Sequence, residues 1–139
     1  MKPVINTLLV FMMLSLFPGC GTMKTLPASA RTRAVGGSFD AVFDGILKYC
    51  SERGYPVKKS ERTSGIIETD AKTNPFEHSR TRLAFTVQAV NSKTAEVTLL
   101  ISIQNESSGG LWTQAAFSEE EARERYAMMF KEMEKYLVK

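Results

Sequence analysis

From Leu83 to Gln104 apolar and polar side chains alternate with a period of two, broken by a single turn signal. No other feature limits the possible folds as strongly. Leu83, Phe85, Val87 and Ala89 alternate with Ala84, Thr86, Gln88 and Val90. After Asn91-Ser92-Lys93, Ala95, Val97, Leu99, Ile101 and Ile103 alternate with Glu96, Thr98, Leu100, Ser102 and Gln104. A strand places successive side chains on opposite faces. These runs therefore predict a long antiparallel hairpin with one buried face and one wet face.

A buried sheet face needs something to cover it, and two stretches have helical periodicity. Phe39, Val42, Phe43, Ile46, Leu47 and Cys50 fall on one helical stripe. Ser38 is placed as its N-cap, Asp40 complements the first-turn dipole, and Gly54 is placed to end it. Ala122, Tyr126, Met129, Phe130, Met133, Tyr136 and Leu137 form the second stripe. Ser118 and Glu121 make a capping box before it, with Phe117 positioned to staple against Ala122. Shorter strands are expected over Tyr55–Glu61 and Ile66–Asp70, around a turn at residues 62–65. Residues 71–79 and 105–116 read as loops. The expected fold is a two-layer α+β domain over residues 38–139. It has a four-stranded antiparallel sheet with two helices on one face, in the order α-β-β-β-β-α.

The N-terminal part reads differently. Lys2 precedes an apolar run, Val4 to Phe17, too short for the ~20 residues of a spanning helix. The run closes in Leu16-Phe17-Pro18-Gly19-Cys20. This segment resembles the lipobox of bacterial lipoproteins, with Gly19 at the small position before the cysteine and Phe17 and Pro18 departing from the usual pattern. The resemblance implies a signal peptide over residues 1–19 and a diacylglycerol on Cys20. Gly21 in the following position implies sorting to the outer membrane, facing the periplasm. Residues 20–37 are rich in Gly, Ser, Thr and Ala and carry Lys24, Arg31 and Arg33, and are expected to form a flexible basic tether.

The chain has 139 residues, enough for one domain, and a net charge of +3 is too balanced to suggest a nucleic-acid partner. Of its 2 cysteines, only Cys50 remains once Cys20 carries lipid, so the fold must rest on its core.

The order of elements, with Gly54-Tyr55-Pro56-Val57 and Ser64-Gly65-Ile66-Ile67-Glu68-Thr69 before two long strands and a terminal helix, is similar to the helix-grip domains of BamC-type outer-membrane lipoproteins. That resemblance spans residues 38–139, and no functional residue carries over from it.

The residues that could perform chemistry are few. His78 is the sole histidine and has no HxxxH or CxxC companion, so neither a metal site nor a cofactor is expected. No GxSxG elbow presents a serine, and Cys50 continues a core stripe. The methionines and aromatics of the last helix sit at core spacing, although helix-grip folds sometimes hold a cavity between helix and sheet. Leu111 and Trp112 follow two glycines in a loop, where they suit a partner or membrane contact, or else fold back over the sheet end. The wet face offers Arg80, Arg82, Thr98 and Leu100 among uncharged hydrogen-bonding groups. Together these features predict a lipid-anchored periplasmic interaction module, not an enzyme. It would dock an envelope protein through the open face or the Trp112 loop. The alternative is a carrier holding a lipid or another small apolar ligand between helices and sheet.

Overall fold

A computed structural model describes residues 26–137. The expected signal sequence, Cys20, the first residues of the tether and the last two residues lie outside them.

The alternating segments form the hairpin they predict. Strand β5 spans Ser79–Asn91 and β6 spans Thr94–Glu106, paired with Phe85 opposite Leu99 and Val87 opposite Val97. A bulge between Ala89 and Asn91 lies beside the turn. The inward residues Leu83, Phe85, Val87, Ala95, Val97 and Leu99 are at most 1% exposed.

The helix spanning Phe39–Glu52 and the one spanning Glu119–Leu137 cover that face. They are α2 and α3, because a single helical turn, α1, precedes them at Ala28–Arg31. Both expected caps form. The Ala41 N–H donates to Ser38 Oγ at 3.3 Å. Ser118 N–H donates to Glu121 Oε2 at 2.8 Å and Glu121 N–H donates to Ser118 Oγ at 3.2 Å. The bond from the Ser118 backbone holds the Glu121 carboxyl below its usual pKa. The helices pack against each other at Gly45, where an added Cβ would lie 2.6 Å from the Tyr136 carbonyl oxygen. Val42, Phe43, Ile46, Tyr49 and Cys50 meet Tyr126, Phe130, Met133 and Leu137 in one core.

The sheet has seven strands, not the four expected. The predicted short strands are present as β2, Val57–Glu61, and β3, Ile66–Thr69. Gly65 turns them with φ +70°, and its carbonyl accepts the Val87 N–H at 2.8 Å. A Cβ there would lie 2.0 Å from the Val87 oxygen, so this approach admits only glycine. The three unexpected strands are all short. β1 spans Thr32–Gly36, β4 spans Lys72–Asn74 and β7 spans Trp112–Gln114. The strand order is β1-β6-β5-β3-β2, with β4 added to β5 and β7 to β6, and every pairing is antiparallel. The element order α-β-α-β-β-β-β-β-β-α replaces the expected α-β-β-β-β-α.

The largest correction concerns the tether. Residues 26–36, expected to belong to a flexible linker, are folded. Leu26 is buried in the core, α1 packs along β6, and β1 pairs with β6 from Thr32 opposite Thr98 to Gly36 opposite Thr94. Composition concealed this strand because its inward residues are Arg33 and Val35. Arg33 still serves the core, with its guanidinium 5.0 Å above the Phe130 ring.

β1 and β7 occupy the same edge of β6 and leave a gap between them. There the Ile101 N–H donates to the buried Tyr126 hydroxyl at 3.0 Å, and the Ile103 carbonyl accepts the Ala115 N–H at 2.9 Å. A side chain from α3 thus supplies what a continuous edge strand would have supplied.

Candidate functional site

No helix covers the other side of the sheet. Residues that alternate with the core positions lie there, and the register puts them in rows. Thr32, Thr98, Thr86 and Ile66 form one row, and Leu100, Ala84 and Glu68 the next. Ser102 lies opposite Arg82, while Gln114, Gln104 and Arg80 complete a further row. The sequence-predicted candidates Arg80, Arg82, Thr98 and Leu100 therefore share one face. Trp112 joins them through β7, because it is two residues from Gln114 and opposite Glu106.

The Trp112 end of this face is ordered by polar contacts. The Arg80 Nε donates to Gln104 Oε1 at 2.6 Å, and its guanidinium lies 4.5 Å above the Trp112 ring. The Gln114 amide donates to the Ile103 carbonyl at 2.9 Å. Of the two expectations for Trp112, the ring folds back, but onto the open face and not over the core; it stays half-buried. Leu111 does not join it. It sits in the β6–β7 turn, 71% exposed. Leu100 is exposed at the centre of the face. Among the described residues, neither Arg80 nor Arg82 forms an ion pair, whereas Arg62 is held by Asp40 at 2.9 Å and by Asp44.

The helix side contains a small groove. Its volume is about 260 Å³, and it lies where the ends of β4, β5 and β6 meet the middle of α3. Ile101, Ile103, Met128 and Met129 make its apolar wall, with Lys72, Arg125, Glu77 and Glu132 around it. Ligand pockets for drug-sized molecules usually hold roughly 300–1,000 Å³, so this groove would take only a small ligand.

The remaining candidates are structural. Cys50 is fully buried, and burial pushes its thiol up to about 11. His78 lies in the exposed turn before β5 with φ +46°, and its Nδ1 is 3.6 Å from Glu106 Oε2. No cluster of three or more His, Cys, Asp or Glu side chains capable of holding a metal occurs among the described residues. None of the described helices is long and apolar enough to cross a membrane. Sequence reasoning passed over Phe76, which stands 95% exposed in the β4–β5 turn. The signal was available in Asn74-Pro75, a turn pair that presents whatever follows it.

No protein-family model matches the chain, and no curated protein matches it significantly. Two solved structures are loosely similar. One is an uncharacterized protein from Bacillus thuringiensis, with 17% identity and a TM-score of 0.36 over 76% of this chain and 92% of its own. The other is the protein XoxI from Bacillus cereus, with 17% identity and a TM-score of 0.36 over 76% of this chain and 90% of its own.

Proposed function

We propose that this chain is a lipid-anchored, non-enzymatic interaction module of the bacterial outer membrane, facing the periplasm. Cys20 is the anchor, and the open sheet face docks an envelope protein. The observation that carries the reading is the contrast within that face. Arg80 and Arg82 lie beside Leu100 and Trp112 with no carboxylate paired to either guanidinium. Planar guanidinium groups beside an aromatic ring suit an acidic segment of a protein partner.

Photo-crosslinking in cells tests this. A photoreactive residue at Leu100 should give a discrete adduct, one at Lys48 on the outer side of α2 should not, and Arg82→Glu should abolish the Leu100 adduct. Equal adducts from both positions, or none from Leu100, would exclude the open face. The carrier reading retains one supporting feature, the groove beside Met128 and Met129. It predicts a stoichiometric small apolar molecule in mass spectra of the gently purified protein.

A further inference from the structure

Among the described residues, three of the six large apolar side chains that remain exposed gather at one pole of the domain: Phe76, Leu111 and Met128. Phe76 occupies the β4–β5 turn and Leu111 the β6–β7 turn. Those turns are neighbours, because the Glu106 N–H donates to the His78 carbonyl at 2.8 Å where β5 begins and β6 ends. Met128 lines the groove that also touches Asn74, Glu77 and Ser79 of the first turn. Phe76 is 95% exposed and Leu111 71% exposed, so each side chain protrudes from its turn. Gly110, at φ +73°, shapes the second turn.

We infer that this pole rests on the lipid surface itself, with Phe76 and Leu111 dipping into the interfacial layer of the bilayer. Protruding apolar tips suit a fluid surface that deforms around them, and aromatic rings are favoured at the headgroup level. The inference rests on the proposed anchor at Cys20. The buried Leu26 follows that cysteine by six positions, which span at most about 22 Å. The domain is therefore held close to the membrane. The chain enters along the β6 edge that carries both β1 and β7. From Thr98, opposite the start of β1, to Glu106, opposite the start of β7, that edge runs roughly 27 Å at the usual strand rise. Tilted so that its β7 end faces the membrane, this edge keeps within the short tether and brings the two turns to the surface. Acidic and basic side chains alternate around the pole, including Glu77, His78, Arg80 and Glu106, so apolar contact and not headgroup charge drives the association.

Trp112 adjoins Leu111 and is the only tryptophan, so it reports directly. The full chain, reconstituted in phosphatidylcholine vesicles, should show Trp112 emission quenched by brominated acyl chains and shielded from aqueous iodide. The Phe76→Ser/Leu111→Ser double variant should lose at least threefold of the bromolipid quenching at an unchanged melting temperature. Val90→Ser, exposed in the β5 bulge at the other end of the hairpin, should match the wild type. Wild-type Trp112 that is as open to iodide in vesicles as in detergent would overturn the inference, and so would a double variant quenched like wild type. The mass of the N-terminal peptide reports lipidation separately. If Cys20 carries no lipid, the anchor reading fails. The same quenching, read with the chain added to preformed vesicles, then decides the fate of the pole.

Discussion

The two faces of the β5–β6 hairpin come from the same residues in strict alternation, yet they do opposite work. Inward, Phe85 and Leu99 lie opposite each other with at most 1% of either surface exposed. One residue along on β6, Leu100 points outward and is 45% exposed. Burying a large side chain stabilises by about 1.5–3 kcal/mol, and leaving a cavity costs more. The inward face therefore carries the stability, and the outward face is free to vary in composition without loss of fold. Alanine substitution gives the widest separation between them. Phe85→Ala should cost about 3–5 kcal/mol in urea unfolding, while Leu100→Ala should change stability by less than about 0.5 kcal/mol. Comparable losses at both positions would mean that the outward face is covered by something these strands do not show.

Alkaline titration sharpens the same contrast from the helix layer. Cys50 is pushed up to about 11 by burial, whereas a thiol in the unfolded chain ionises near ~8.5. The unfolded state therefore releases its proton first as pH rises. With fewer protons on the unfolded chain than on the native one, stability falls. The contribution of the neutral thiol is whole below about pH 8.5 and is lost progressively towards pH 11. The expected loss is about 2 kcal/mol at pH 10. Tyr49, also raised by burial, adds to it only at higher pH. Denaturation midpoints measured between pH 8 and 10 should drop for the wild type. They should stay nearly flat for Cys50→Ala, whose starting stability is lower. A wild-type midpoint that does not move over this range would place the thiol in water.

What was legible in the sequence followed from periodicity. Both long strands, the main helices and both caps depend on runs of ten or more residues or on fixed capping spacing, and all of them formed. The missed strands are three to five residues long, too short for a period of two to stand out from polar surroundings. β1 was further disguised by Arg33, an exposed charged residue whose guanidinium lies over Phe130. The site was half legible. Alternation alone put Arg80, Arg82, Thr98 and Leu100 on one face. The arrival of Trp112 on that face depends on β7 pairing Gln114 with Gln104, a non-local register that no local pattern encodes. Exposure of Phe76 was missed because a lone aromatic inside a polar loop belongs to no periodic pattern.

The smallest expected effect tests whether the outward face is merely tolerant or is held in shape. Arg80 spans two strands, donating to Gln104 at 2.6 Å on β6 and lying 4.5 Å above the Trp112 ring on β7. A cation over an aromatic ring at a partly exposed site contributes about 0.5–1 kcal/mol. A solvated hydrogen bond between side chains adds little. Arg80→Ala should therefore lower stability by no more than about 1 kcal/mol, yet it removes the lid over the indole. Trp112 emission should shift to longer wavelength and its iodide quenching in detergent should rise. Arg80→Lys should restore the charge without restoring the planar stack, so its emission should stay near that of the alanine variant. Unchanged emission in both variants would mean that β7 holds the ring unaided. The outward face would then owe its shape to the strand register and not to its side chains.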